Sequence, residues 1–172
     1  MRPSGAAARI VLSRDAESAI ATGVAVLDHL LARLAEAGGL GLRLEIAPAE
    51  PEAEVEAAGR ALGEAVAALL GEPGARRHGA GIAAAAEALA LVALEVGEAP
   101  LVVSNADLTA THAGGLRTDL AAAFLGALAV TAGLTIHVRL LEGEDSQHVL
   151  EAIFKALGEA LAEACSRNGE RS

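Results

Sequence analysis

The chain has 172 residues, 53% of them hydrophobic but only 1% aromatic, and it carries a net charge of -10 with a pI near 4.9. That length suits one domain or two closely packed halves. Its core must be built from alanine, leucine and valine, which bury little area each, so an oligomer that adds subunit contacts is expected. The acidic balance argues against nucleic acid and anionic membranes as partners, and nearly all the positive charge is arginine, with Lys155 the only lysine.

Ala8 to Leu12 form a short apolar run that reads as a strand. Thr22-Gly23 opens a helix with the stripe Val26, Leu27, Leu30, Leu31 and Leu34, ending at Gly38-Gly39. His29 sits beside this stripe, where a lone histidine is most often a satisfied core residue. Leu40, Leu42, Leu44 and Ile46 alternate with Gly41, Arg43 and Glu45 as a half-buried strand. Pro48 to Glu54 read as an acidic connection before a helix from about Val55 to Leu70. Gly71 to Gly81, with Arg76, Arg77 and His78, reads as a glycine-rich loop that either holds a phosphate or is a solvated turn.

Ile82 to Val96 fits two templates, helix by its alanines and strand by the alternation of Ala88, Ala90, Val92, Leu94 and Val96. Pro100 to Val103 reads as a strand, Asn105 to Gly115 as a loop with His112 exposed, and Ala121 to Ala132 as a helix. Leu134, Ile136, Val138 and Leu140 then face one side of a strand, with Thr135, His137 and Arg139 on the other. The last helix follows Asp145 or Ser146 as cap, and its stripe is Val149, Leu150, Ile153, Phe154, Leu157 and Leu161. His148 and Glu151 lie three apart on it and project to one side, within reach of one divalent ion, although a bare His-x-x-Glu is more often a solvated face. Cys165 is the only cysteine, which excludes an intramolecular disulfide; it reads as a small side chain buried near a helix end. With no signal-like or membrane-spanning apolar run, the cytoplasm is the expected location.

An internal repeat runs through the chain. Ala61-Leu62-Gly63-Glu64-Ala65 returns letter for letter as Ala156-Leu157-Gly158-Glu159-Ala160, and Glu56 precedes the first copy by five residues as Glu151 precedes the second. Each copy follows a helix ending at glycine and an alternating strand. The expected fold is therefore α+β, a single domain over residues 1–172 built of two helix-strand-helix pseudo-repeats, about 8–85 and 86–168, with sheets packed on helices.

These segments resemble a known family. Thr22-Gly23-Val24-Ala25-Val26-Leu27-Asp28-His29-Leu30-Leu31 resembles the Thr-Gly-x-x-Phe-Leu-Asp-His-Met-Leu signature of imidazoleglycerol-phosphate dehydratase, and Glu151-Ala152-Ile153-Phe154-Lys155-Ala156-Leu157 its Glu-x-x-Phe-Lys-Ala-Leu. Gly133-Leu134-Thr135-Ile136-His137 is similar to the family's Leu-His-Ile strand, and the similarity runs from about Glu17 to Ala164. The resemblance implies a duplicated fold like the second domain of ribosomal protein S5 and a twenty-four-subunit shell. It also implies a manganese-dependent lyase of histidine biosynthesis that removes water from imidazoleglycerol phosphate at sites between subunits. Metals there hold the substrate ring as imidazolate, which makes loss of a proton and a hydroxyl possible without an acidifying carbonyl.

Carried over singly, the resemblance implies metal ligation by His29, Glu56, His137, His148 and Glu151, acid-base roles for Glu17 and Glu87, and substrate contacts from Arg77 and Lys155. The ligands are expected to meet at a contact between chains. Departures are as specific. Where the family has His-His-x-x-Glu in both halves, this chain has Glu52-Ala53-Glu54-Val55-Glu56 and Gln147-His148-Val149-Leu150-Glu151. Ala57 and Ala86 stand where the family has Asp, Ala99 stands for an arginine, and the phosphate-gripping Ser-Thr-Lys-Gly tail is absent. Three readings follow: a divergent dehydratase holding one or two manganese ions, a non-catalytic paralogue that keeps the fold and shell as a binding or assembly protein, and a one-metal enzyme of altered substrate.

Overall fold

The structure, a computed structural model, describes residues 8–15, 17–106, 112–113 and 116–169. In chain order its elements are β1 (Ala8–Ser13), β2 (Ala19–Ala21), α1 (Ala25–Gly38), β3 (Gly41–Ile46), α2 (Pro51–Leu70), β4 (His78–Ala85) and β5 (Ala88–Val96). There follow β6 (Leu101–Ser104), the short pair β7 (His112–Ala113) and β8 (Leu116–Arg117), α3 (Thr118–Ala132), β9 (Leu134–Glu142) and α4 (Ser146–Cys165). The fold is α+β, as expected. Most of the loop expected over 105–115 lies outside the described residues, as does the side chain of His112.

The duplication is visible in the pairing. In the first sheet β3 lies between antiparallel β1 and parallel β2; in the second, β9 lies between antiparallel β5 and parallel β6, and β4 adds an outer strand beside β5. The β4–β5 hairpin therefore crosses the boundary at residues 85 and 86 that the repeat suggested. The helices pair across the repeats, α1 on α4 and α2 on α3. Gly158 and Gly63, the twin glycines of the repeated pentapeptide, sit at these two crossings, Gly158 against Leu34 and Gly63 against Leu128 and Thr131. Without a side chain, each lets two helix backbones come together.

Two local expectations are corrected and one open reading is decided. The second helix starts at Pro51, four residues before Val55: proline at the first helical position lacks only an N–H that the first turn cannot pair, so the acidic connection is shorter than its composition implied. The glycine-rich loop ends earlier than expected, because β4 begins at His78 and its inward positions Gly79 and Gly81 lie buried beneath α4. A Cβ at either would overlap the Ala160 or Ala156 carbonyl oxygen, so these glycines serve helix-sheet contact. Residues 82–96 are strand rather than helix, joined by the two-residue turn Ala86-Glu87 with Ala86 in the left-handed region (φ 51°). Helix propensity loses here because alternation puts Ala83, Ala85, Ala88, Ala90, Val92 and Leu94 on one buried face.

The core lies between the sheets and the inner faces of the helices. The chain's two phenylalanines, Phe124 of α3 and Phe154 of α4, are fully buried and stack with centroids 5.4 Å apart. No helix among the described residues is long and apolar enough to cross a membrane.

Candidate metal and active site

The entry to α1 is fixed before its histidine is placed. Thr22 is fully buried, and both its N–H (2.8 Å) and its hydroxyl (2.6 Å) donate to Asp28 Oδ1. Gly23, at φ 89°, leaves room for the Glu54 carboxylate, whose Oε1 would be 2.6 Å from any Cβ there. Glu54 is 6% exposed and accepts the Ala49 N–H at 2.9 Å, so the start of α2 is tied against the start of α1. The Thr-Gly and Asp of the Thr-Gly…Asp-His segment thus position the histidine that follows them. Glu54 was not singled out in the sequence; its signal was an acidic residue in the first turn of a helix.

His29 of α1 faces Glu151 of α4, with Nε2 3.6 Å from Oε2. One turn further along α1, Arg33 Nε lies 3.3 Å from the other Glu151 oxygen. Three residues before Glu151 on the same helix, His148 Nδ1 donates to Glu87 Oε2 at 2.6 Å, and Glu87 Oε1 accepts the Asp145 N–H at 3.0 Å. Of the two expected caps it is Asp145, not Ser146, that caps α4, accepting from the amides of Gln147 and His148. Lys155, one turn beyond Glu151, donates to the Ala84 carbonyl at 2.7 Å and so leans on β4. The first half of α4 thereby meets both α1 and the β4–β5 turn. Glu87 orients His148 rather than standing apart from it: with Nδ1 engaged, Nε2 is the nitrogen left for a ligand.

The His148 pair is electrostatically set. The Asp145 amide, its own amide and His148 draw the Glu87 carboxyl from 4.5 down to about 2, while Glu87, with Asp145 and Glu151 nearby, raises the His148 imidazole above 6.5. The Glu87 contribution to stability is present above pH 4.5 and fades as pH falls toward 2. That of His148 is full below pH 6.5 and fades as pH rises through its raised value. In metal-free protein, Glu87→Gln is expected to return the His148 titration, followed by its ring proton resonance, toward 6.5. An unmoved midpoint would mean that the carboxylate does not hold the ring.

The remaining expected residues lie elsewhere. Arg77 precedes β4 at the end opposite the Glu87 turn, eight strand residues or roughly 25 Å away. Its backbone (φ 69°) is held there by hydrogen bonds to Ala164 and Val96. His137 is exposed on the sheet face away from the helices, paired in register with Ala93, which pairs with Ala80 near the Arg77 end. There it lines a groove of about 300 Å³ with His78, Glu95 and Thr135. Glu17 and Glu56 are exposed, on the turn before β2 and on α2. Cys165 is half-buried, and burial pushes its thiol up to about 11, which fits a packing role.

Manganese suits imidazole and carboxylate donors, and ligand atoms about 2.0–2.2 Å from one ion stand roughly 3–4 Å apart. The His29–Glu151 separation of 3.6 Å fits that spacing. Among the described residues, however, no group of three His, Cys, Asp or Glu side chains gathers closely enough to hold an ion. One chain supplies a pair and an oriented third ring, and a complete shell needs further donors.

Comparison with known proteins agrees with this arrangement of elements. The family described as imidazoleglycerol-phosphate dehydratase matches residues 22–161. An imidazoleglycerol-phosphate dehydratase of Clostridium botulinum strain Kyoto is 37% identical over 153 residues, covering 87% of this chain and 78% of that protein. One from Acetivibrio thermocellus is 37% identical over 166 residues, 92% of this chain and 84% of that protein. The crystal structure of the Staphylococcus aureus enzyme superposes with a TM-score of 0.85 at 30% identity, covering 97% of this chain and 96% of that one. The Pyrococcus furiosus structure gives 0.87 at 27% identity, covering 98% and 94%. With the fold, the duplicated units and the Asp-His and Glu-x-x-Phe-Lys segments all in their places, this chain belongs to the imidazoleglycerol-phosphate dehydratase family.

Proposed function

We propose that the chain is a manganese-dependent imidazoleglycerol-phosphate dehydratase of histidine biosynthesis, working in the cytoplasm, with each active site shared between copies of the chain. The observation that carries this is the sorting of the expected site residues to two ends of one strand. His29, Glu87, His148, Glu151 and Lys155 gather around the turn end of β4, whereas Arg77 and His137 lie toward its start. A small phosphorylated imidazole cannot touch both ends of one chain. Two copies can bring them together.

In this reading His29, His148 and Glu151 hold metal from one chain, while Glu56 and His137 complete the shell from its neighbour or within reach of it. Bound divalent metal, as one or two ions, supplies the positive charge that stabilises a deprotonated imidazole. Glu87 acts through His148 by fixing its ring, Glu17 is the candidate for moving the proton, and Arg77 and Lys155 meet the phosphorylated chain. Self-association has a surface available: Ile82, Leu101 and Val103 stand 56%, 53% and 43% exposed on the outer face of the four-stranded sheet. Apolar side chains exposed at both edges of this sheet face suit an association surface, here for a large homo-oligomer of up to twenty-four copies by the family resemblance.

Purified protein supplied with manganese and imidazoleglycerol phosphate is expected to turn over. Glu151→Gln and His29→Ala should each reduce kcat/KM on the order of 100-fold or more, beyond what loss of an outer-shell partner causes. A folded, manganese-loaded protein without turnover would remove the enzyme reading. It would leave the non-catalytic paralogue, which the missing histidines before Glu56 and Glu151 favour.

A further inference from the structure

We infer that Arg33 is a resident counter-ion for Glu151, which an incoming divalent cation has to displace. This rests on the reading above, in which His29 and Glu151 share an ion. Arg33 Nε is 3.3 Å from Glu151 Oε1, while His29 Nε2 is 3.6 Å from Oε2, so guanidinium and imidazole each face one oxygen of a single carboxylate. The Glu151 side chain is only 20% exposed. Its charge is therefore balanced chiefly by the Arg33 guanidinium, a cation that an incoming metal has to displace.

The contact has the form of an exchangeable partner. Arg33 Nε is buried and close enough for an ion pair, yet it makes no hydrogen bond, because its N–H is poorly aligned with the carboxylate. The same guanidinium is held from the solvent side, where Nη1 donates to Glu36 Oε2 at 3.1 Å, one turn along α1. Arg33 thus retains a partner when Glu151 turns to a metal. What metal entry costs is the lost Arg33–Glu151 attraction together with repulsion between two cations near one carboxylate. The consequence is a lower metal affinity than the His29–Glu151 pair would have beside a neutral residue.

The test is manganese titration of the full chain by calorimetry, with free manganese counted independently by its paramagnetic resonance signal. Arg33→Gln is expected to bind manganese about two- to fivefold more tightly than the wild type, the range for a partly exposed ion pair. Arg33→Lys, which keeps the charge, should stay close to wild type. Circular dichroism confirms that each variant is folded. Equal or weaker binding by folded Arg33→Gln, or no manganese binding by either protein, overturns the inference. The turnover assay of the wild type is separate, so an active enzyme with unchanged affinity in Arg33→Gln would sink the counter-ion role and leave the dehydratase reading standing.

Discussion

Gly158→Ala is expected to lose about 3 kcal/mol of stability or more, read as a fall in the urea midpoint, although the substitution adds one methyl group to a helix. In an open helix the same change stabilises by about 0.5–1 kcal/mol. The reversal comes from what lies opposite. A Cβ on Gly158 would overlap the Leu34 carbonyl oxygen and come within 2.8 Å of its carbonyl carbon and 3.0 Å of its Cα. All three atoms are backbone, so no rotamer relieves the clash; the helices must separate. α1 is meanwhile pinned by the Thr22–Asp28 hydrogen bonds and by Glu54 against Gly23, which resist that shift.

Two companion variants isolate the cause. Gly126→Ala in α3, with nothing within 4 Å of the new methyl, should gain the ordinary helix benefit. Gly63→Ala, the twin position in the other repeat, should cost less than Gly158→Ala because its closest approach, 2.6 Å to Thr131 Cβ, is a milder overlap than that with the Leu34 carbonyl oxygen. Equal losses at the twin glycines would refute the depth of overlap as the origin of the difference. Separating α1 from α4 also parts His29 from Glu151, so Gly158→Ala should weaken manganese binding although it touches neither ligand.

Phe154→Ala should cost about 3–5 kcal/mol, a large share of the roughly 5–15 kcal/mol that holds a typical domain together. The chain has two phenylalanines and no tryptophan or tyrosine, and both rings are completely buried, 5.4 Å apart with an interplanar angle of 29°. Phe124 and the surrounding leucines are themselves fully buried and closely packed, so they refill the space a lost ring leaves only in part. Thermal melting of Phe154→Ala and Phe154→Leu provides the check, with leucine recovering part of the loss. A shift of less than about 1.5 kcal/mol in Phe154→Ala would show that the alanine-rich helices close over the gap, contrary to the rigid packing argued for this core.

The sequence alone narrowed the α4 cap to Asp145 or Ser146 and carried the buried stripes of α1 and α4 and the duplicated unit with its twin glycines. These are local or periodic features: hydrophobic spacing reports the buried face of an element without reference to its neighbours. It also carried the family, through segments whose residues can be compared one by one. Only the tertiary structure decided that the glycines after His78 are strand positions beneath a helix, since backbone proximity leaves no mark beyond the absence of a side chain. It likewise decided that Arg33 and Glu87 are the partners of Glu151 and His148, residues 118 and 61 positions away along the chain, and that Arg77 and His137 lie toward the far end of β4. Spacing along a helix fixes which side a residue faces, but which charge meets it is settled only when separate elements pack together.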